Sequence, residues 1–200
     1  MNLKETEAGR VGYLFRFKLC MIMAWVAWFT GLPGCGKTTI AQGVRAILLE
    51  KKIDVKILQL DEIRRVITPH PGYTEEERDI VYASLAYMAK LLHESGVNVI
   101  VDATANRRRY RDLARSLVPN FAEVYIRAPI DVCMSRERER KAQFAPKEIY
   151  KKAAQEKALV PGVNVSYEEP IAPEIEVDTT AMTPDQSARF IAEKLAKLFK

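Results

Sequence analysis

The sequence predicts an α/β fold in which five parallel strands form one sheet with helices on both faces. Three observations favour it: short apolar, mostly β-branched runs alternate with helical patterns, no internal repeat interrupts them, and a glycine-rich loop follows the first run. Such alternation implies right-handed crossover connections. Ligands are therefore expected at the carboxyl ends of the strands.

The composition is that of one globular domain with a full apolar core. Of 200 residues, 48% are hydrophobic and 28% are charged, which excludes a disordered chain. The 3 cysteines, Cys20, Cys35 and Cys133, are too few and too widely spread for a disulfide framework, and they favour a reducing, cytoplasmic compartment. The 2 histidines leave almost no material for a structural zinc site, so any metal is expected to be a hard cation held by oxygen.

The charge balance points to small anionic ligands rather than to nucleic acid. The 31 Lys and Arg against 26 Asp and Glu give a net charge of +5, which is small for a nucleic-acid-binding chain. The surplus suits a small anionic substrate where the basic residues cluster.

The N-terminal residues stand outside the predicted domain. An apolar run over 19–29 follows Arg16 and Lys18 and resembles a weak secretory signal, but it is too short to span a bilayer. Because the glycine-rich loop follows directly, we interpret the end of this run as the first strand and expect no membrane segment. Residues 1–22 are predicted to be an extension of unknown role, and residues 23–200 a single domain.

The elements follow in order along the chain. Strands are predicted at residues 25–30, 55–60, 97–102, 123–126 and 174–177, and a first helix at 39–50. A capping box, Thr74 to Glu77, opens a long helix that runs through Leu92 and stops at Gly96. Thr183 and Pro184 open the C-terminal helix. Residues 143–173 are irregular and rich in proline, which predicts a lid over a site.

The glycine-rich loop is the strongest functional signal. It matches G-x-x-x-x-G-K-[ST], the Walker A motif, between a strand and a helix, and so predicts a P-loop NTPase-type sheet that binds ATP or GTP. Lys37 would neutralise the β and γ phosphates and the Thr38 hydroxyl would help hold Mg²⁺, while Cys35 is interpreted as a small filler. The predicted nucleotide-binding residues are Gly31, Leu32, Pro33, Gly34, Cys35, Gly36, Lys37, Thr38 and Thr39.

Two acids follow strands at the same edge of the sheet. Asp61 comes after the second strand, where a carboxylate accepts the proton of an attacking hydroxyl or orients Mg²⁺; the alternative is a helix cap. Asp102 ends the third strand, where it would either orient Mg²⁺ or begin a turn. Arg64, one turn beyond Asp61, would grip an anionic group on the acceptor.

Two basic clusters supply the expected grouping of charge. The arginine run, Arg107, Arg108, Arg109 and Arg111, is either a solvated helix face or a substrate-binding group, with Arg107 as the candidate. The second cluster, Arg136, Arg138, Arg140 and Lys141, leads into the lid, where arginines of kinases meet the transferring phosphoryl group.

Taken together, these motifs resemble the adenylylsulfate kinases, from about Met23 to the C-terminus. Besides the phosphate loop, the resemblance rests on Phe121–Tyr125 with Asp131, Cys133 and Arg136, and on Ile149–Ala153 with the segments 161–170 and 173–179. It implies a MgATP-dependent kinase of adenosine 5′-phosphosulfate in sulfate assimilation, and a possible homodimer. It also implies that Asp61 is the catalytic or metal-orienting acid, that Arg64, Arg78 and Lys152 contact the sulfonucleotide, and that Arg136 lies by the ATP.

The chain departs from the family pattern mainly on the acceptor side. Gln59 replaces an acid, Glu62 an asparagine, and Val81 and Ser84 an asparagine and an arginine; Val160 stands where an aromatic is expected. The family's I-S-P segment is replaced by residues 102–107. Two alternatives therefore stay open: a P-loop kinase of another hydroxyl acceptor (polyol, nucleoside or polynucleotide 5′ end) and a nucleotide-binding module without transfer activity.

Overall fold

The computed structural model describes residues 24–139, 148–155 and 158–200. Its strands are β1 (Val26–Thr30), β2 (Val55–Gln59), β3 (Asn98–Asp102), β4 (Phe121–Arg127) and β5 (Ile175–Asp178). Its helices are α1 (Lys37–Glu50), α2 (Leu60–Ile67), α3 (Glu75–Glu94), α4 (Arg108–Leu117), α5 (Ile130–Glu139), α6 (Ile149–Ala154) and α7 (Pro184–Leu198). The predicted strands are confirmed to within a few residues; Leu60 begins α2 rather than ending β2.

The five strands form one parallel sheet, which confirms the predicted α/β fold. The strand order is β2-β3-β1-β4-β5, so β1 lies in the centre between β3 and β4. All five residues of β1 are buried, as expected of a strand covered on both faces. Every strand has its carboxyl end at the same edge, and the predicted site residues follow those ends.

Alternate residues of β1 pack into two separate apolar layers. Phe29 lies with side chains of α1 and α7, and Trp28 lies on the opposite face with α3 and α4. The Trp28 indole donates a hydrogen bond of 3.1 Å to the Ala103 carbonyl, which satisfies its buried N–H. In the first layer, a Cβ on Gly43 would lie 2.9 Å from the Cβ of Ala188, so α1 and α7 approach closely only because residue 43 is glycine.

A capping box is complete at α7, where the sequence predicted only the helix start, and incomplete at α3, where a capping box was predicted. At α7 both halves form: Thr183 Oγ1 accepts from the Gln186 N–H, and the Gln186 side chain accepts from the Thr183 N–H. At α3 only the first half forms, since Thr74 Oγ1 accepts from the Glu77 N–H at 3.2 Å. The Glu77 carboxylate accepts instead from the backbone of Gly72 and Tyr73, so the prediction of a complete box there was wrong.

Some predicted segments lie outside the described residues. These are the N-terminal extension with Cys20, the basic residues Arg140 and Lys141, and lid residues 143–147 and 156–157. The described part of the lid contains α6 and a bridge between Pro161 and Val165. None of the helices in the described ranges is long and apolar enough to cross a membrane.

Three members of the arginine run pair with acidic residues from other parts of the fold. Arg107 pairs with Glu168 at 3.1 Å, and Arg109 pairs with Glu75 and Asp79. Arg111 is only 1% exposed and binds Glu123 as well as the carbonyls of Ala105 and Glu168. The Arg108 N–H donates to Glu168, which holds the pKa of that carboxyl below its ordinary value.

Arg111 is therefore expected to stabilise the fold far more than its neighbour Arg109. Replacing Arg111 with Met leaves the Glu123 carboxylate buried beside fewer donors, so we expect a loss of about 3 kcal/mol in the free energy of unfolding. The matched control is Arg109→Met, which removes an exposed cation and should leave the urea midpoint close to wild type. Equal midpoints for the two variants in urea unfolding would contradict this assignment.

Candidate active site

A cleft of about 1020 Å³ opens at the carboxyl edge of the sheet. It is lined by the phosphate loop, the ends of β2 and β3, the first turns of α2 and α3, and the described part of the lid. Most of the predicted site residues meet there: Pro33, Gly34, Cys35, Gly36, Lys37, Thr38, Thr39, Asp61, Arg64, Arg78, Asp102, Arg136 and Lys152. Gly31, Leu32 and Arg107 are not in its lining, and the Arg107 guanidinium is held by Glu168.

The phosphate loop (residues 31–38) curls between β1 and α1 because its glycines adopt conformations closed to other residues. Gly34 has φ of 85°, and a Cβ there would collide with the Cys133 carbonyl. Gly36, with φ of 105°, leads into the first turn of α1. The N-terminal amides of α1 thus face the cleft, where they favour a phosphate group.

Lys37 lies across this loop. Its ammonium donates hydrogen bonds of 3.0 Å to the carbonyls of Gly31 and Leu32. Gly31 and Leu32, which do not line the cleft, thus contact the Lys37 ammonium through their carbonyls. Burial raises the pKa of the Cys35 thiol above its ordinary value despite the nearby ammonium, which keeps the thiol neutral and favours its interpretation as a filler.

Thr38 and Asp102 form the oxygen pair that a hard cation would need. Thr38 Oγ1 donates a hydrogen bond of 2.6 Å to Asp102 Oδ2. The strand register explains this contact, since Asp102 is the partner of Phe29 on β1 and of Gln59 on β2. Among the residues described, no group of three or more His, Cys, Asp or Glu side chains could enclose a metal. The pair instead suits Mg²⁺, which keeps water and phosphate oxygens among its ligands.

The acceptor side of the cleft follows β2. Asp61 lies half-buried in the first turn of α2, and Arg64 lies one turn further on. Arg64 pairs with Glu77 at 2.8 Å. Arg78 is fixed by three oxygen acceptors: the Tyr73 carbonyl at 3.0 Å, Asn106 Oδ1 at 3.3 Å and the Leu159 carbonyl at 3.1 Å.

Sequence reasoning missed several residues of the cleft. Tyr73 lines it, with the Arg64 guanidinium 5.1 Å and the Arg78 guanidinium 5.9 Å from its ring centroid. Burial raises the pKa of Tyr73, so its hydroxyl stays neutral at physiological pH. Tyr82 lines the cleft as well, and its hydroxyl accepts from the Ala105 N–H. An aromatic residue directly before a helix cap was the signal available for Tyr73.

Thr179 was also missed, and it connects the predicted ATP arginine to the phosphate loop. The Arg136 guanidinium donates to Thr179 Oγ1 at 2.7 Å and to the Thr179 carbonyl at 2.8 Å. The Thr179 hydroxyl in turn donates to the Cys35 carbonyl at 3.2 Å. Two sequence signals were available: its place just beyond β5, at the same sheet edge, and its position at the end of the segment 173–179 that carries the resemblance.

The lid reaches the phosphate loop through a tyrosine. Tyr150 on α6 is buried, and its hydroxyl donates a hydrogen bond of 2.6 Å to the Pro33 carbonyl. Lys152, exposed on the same helix, lines the cleft. The described charged side chains of the lining are Lys37, Arg64, Arg78, Arg136 and Lys152 against Asp61, Glu62 and Asp102. This basic surplus is the grouping of charge that an anionic ligand requires.

Comparisons with known proteins identify the fold and its relatives. The model of the adenylylsulphate kinase family matches residues 23–178. A probable adenylyl-sulfate kinase of Pyrococcus abyssi is 38% identical over 172 residues, which are 86% of this chain and 94% of that protein. The adenylyl-sulfate kinase of Rippkaea orientalis is 37% identical over 172 residues, 86% of this chain and 91% of its own.

A solved structure with a similar fold is also an adenylylsulfate kinase. The APS kinase of Mycobacterium tuberculosis in complex with AMPPNP and APS is 28% identical and superposes with a TM-score of 0.77. The match covers 87% of this chain and 98% of that one.

The hydrogen bonds from Arg136 to Thr179 and from Thr179 to the Cys35 carbonyl, here called the Thr179 bridge, can be tested for their contribution to nucleotide binding. Thr179→Val removes the hydroxyl that joins Arg136 to the phosphate loop, and a hydrogen bond of this kind is worth ~1 kcal/mol, or about fivefold in nucleotide affinity. Titration calorimetry with a non-hydrolysable ATP analogue measures that loss. Thr179→Ser keeps the hydroxyl and is the matched control. Equal affinity in the valine variant and wild type would show that the bridge does not support nucleotide binding.

Proposed function

The chain belongs to the adenylylsulphate kinase family, and we propose that it transfers the γ-phosphoryl group of ATP to the 3′-hydroxyl of adenosine 5′-phosphosulfate. One observation carries the proposal: a single cleft joins the phosphate loop to Arg64, Arg78 and Lys152. Two anionic ligands can meet there with their reacting groups side by side. The family match supports the identity of both ligands.

The phosphate loop would hold the donor. Its amides and the Lys37 ammonium would contact the β and γ phosphates, and Arg136, fixed by Thr179, would lie beside the ATP. These groups stabilise the charge that develops on the bridging oxygen as its bond to the γ phosphorus breaks. The products are ADP and the 3′-phosphorylated acceptor.

The acceptor would lie on the β2 side. Arg64 and Arg78 are planar donors that suit phosphate and sulfate oxygens, and the Tyr73 ring beside them offers a surface on which a purine can stack. Lys152 would approach from the lid. We infer that Arg107 takes no part, because Glu168 holds it outside the cleft lining.

Asp61 would act on the attacking hydroxyl. Its carboxylate would orient this hydroxyl towards the γ phosphorus and accept its proton as the new O–P bond forms. Thr38 and Asp102 would hold Mg²⁺, with Asp61 at the same edge of the sheet. Bound there, the ion would neutralise charge on the phosphate oxygens.

A second candidate is transfer to another small hydroxyl compound such as a polyol or nucleoside. Val160 favours it, because an almost fully buried valine lines the cleft where the resemblance predicts an aromatic residue. A polynucleotide 5′ end is less favoured, since the arginine run that would bind its backbone is paired with acids.

Two further expectations belong with this proposal. The free, buried thiols of Cys35 and Cys133 suit the cytoplasm, where thiols stay reduced. The homodimer implied by the resemblance stays a prediction; exposed Ile80, Tyr87 and Leu91 on α3 offer an apolar face for it.

The activity and the role of Asp61 are tested together. Wild-type protein with MgATP and adenosine 5′-phosphosulfate should form ADP and the 3′-phosphorylated product. Asp61→Asn should lower kcat by roughly 10²-fold or more while ATP affinity stays within about twofold. Asp112→Asn makes the same change at an exposed position on α4 and is the control.

Turnover of a polyol or nucleoside, with none of the sulfonucleotide, would favour the second candidate. No turnover of any acceptor would favour a binding module.

The metal site is tested by nucleotide binding alone. Asp102→Asn keeps the size of the side chain but removes the charge opposite Thr38, so the gain in ATP affinity on adding Mg²⁺ should fall by roughly 10-fold. Calorimetric titration with and without MgCl₂ measures this gain. An unchanged gain in the variant would show that Asp102 does not orient the metal.

A further inference from the structure

The Glu77 carboxylate contacts three groups on the acceptor side of the cleft. Its Oε1 accepts from Arg64 Nη1 at 2.8 Å. Its Oε2 accepts from the N–H of Gly72 at 2.6 Å and from that of Tyr73 at 3.2 Å. One carboxylate thus holds a predicted substrate arginine and the loop that carries an aromatic side chain of the cleft.

We propose that Glu77 is the positioning residue of the acceptor site: it fixes Arg64 and the Tyr73 loop relative to each other. The proposal rests on the proposed function, because it assigns to Glu77 the placement of the residues that would bind the acceptor.

The conformation of Tyr73 shows why the loop needs holding. Tyr73 has φ of 56°, a left-handed conformation that is uncommon for a bulky residue other than glycine. Two consecutive N–H groups, from Gly72 and Tyr73, converge on a single oxygen of Glu77. The same conformation aims the Tyr73 carbonyl at Arg78 Nε. Glu77 therefore influences Arg78 through this loop, as well as Arg64 directly.

The charge of Glu77 matters because Arg64 is almost buried. The Arg64 side chain is 9% exposed, whereas Glu77 is 20% exposed. A buried guanidinium that loses its carboxylate is unfavourable, so the Arg64 side chain would move to bind water or another acceptor, and its position in the cleft would change. With the pair in place, the guanidinium keeps one orientation and an incoming anion meets preformed donors.

A purely structural role for this side chain is not favoured by its surroundings. The cap of α3 is made by Thr74 Oγ1 and the backbone N–H of Glu77, so it does not need the carboxylate. The carboxylate itself accepts from Arg64 and from the backbone of Gly72 and Tyr73. Helix α3 should therefore form normally in a variant that lacks the charge.

The first test is a steady-state comparison of Glu77→Gln, Glu77→Asp and Glu76→Gln. Glu77→Gln should raise the KM for adenosine 5′-phosphosulfate about tenfold and leave kcat and the KM for ATP within about twofold. Glu77→Asp keeps the charge and both oxygens, so its KM should lie between those of Glu77→Gln and wild type. Glu76→Gln makes the same change at an exposed neighbour and should match wild type. Equal rises in both KM values, with a lower melting temperature, would overturn the proposal.

The second test does not depend on the acceptor. Amide hydrogen exchange of the segment 68–74 should be faster in Glu77→Gln than in wild type, because the N–H groups of Gly72 and Tyr73 lose their acceptor. Glu76→Gln should exchange as wild type does. If wild-type protein does not phosphorylate adenosine 5′-phosphosulfate, the proposed function fails and amide exchange alone decides the role of Glu77. Unchanged exchange in Glu77→Gln would overturn that role.

Discussion

The position of β1 in the middle of a parallel sheet is the constraint on which the site depends. Its register with β3 places Asp102 opposite Phe29, and its register with β4 places Tyr125 opposite Thr30. The chain can leave β1 only at the edge where the other strands also end, so the phosphate loop begins beside Asp102 and Thr38 can reach that carboxylate. Pairing of β2 with β3 then brings α2, with Asp61, to the same edge.

The net charge of the cleft depends on which basic residues pair with acids from distant parts of the chain. The composition of the sequence does not reveal these pairs. The arginine run is the densest basic segment of the sequence, yet its partners Glu123 and Glu168 come from β4 and from the lid. The basic surplus in the cleft comes instead from Lys37, Arg64, Arg78, Arg136 and Lys152, which are scattered along the chain. Proximity in sequence predicts a substrate contact at Arg107, which pairs with Glu168 outside the cleft lining, whereas folding brings the scattered cations to the cleft.

The same distinction explains how much of the molecule the sequence could predict. Strands, helix starts and the phosphate loop depend on local patterns such as β-branched runs, Thr caps and fixed glycines, and these were confirmed to within a few residues. The roles of Thr179 and Glu77 depend on partners brought by folding: Thr179 meets Arg136 and Cys35, and Glu77 meets Arg64. The capping-box pattern predicts that the Glu77 carboxylate accepts from the N–H at the start of its own helix. The carboxylate instead accepts from the N–H groups of Gly72 and Tyr73, so the local rule misassigned it.

Hydrogen bonds join the lid to both ends of the cleft. At the donor end, Tyr150 on α6 donates to the Pro33 carbonyl of the phosphate loop. At the acceptor end, Arg78 donates to the Leu159 carbonyl, while Asn106 binds both Arg78 and the Ser166 carbonyl. If the acceptor binds Arg78 as proposed, a shift of the guanidinium towards it would lengthen the bond to Leu159, and occupation of the acceptor side would be coupled to the position of the lid. The coupling would arise because the guanidinium that is proposed to bind the acceptor also donates a hydrogen bond to the lid.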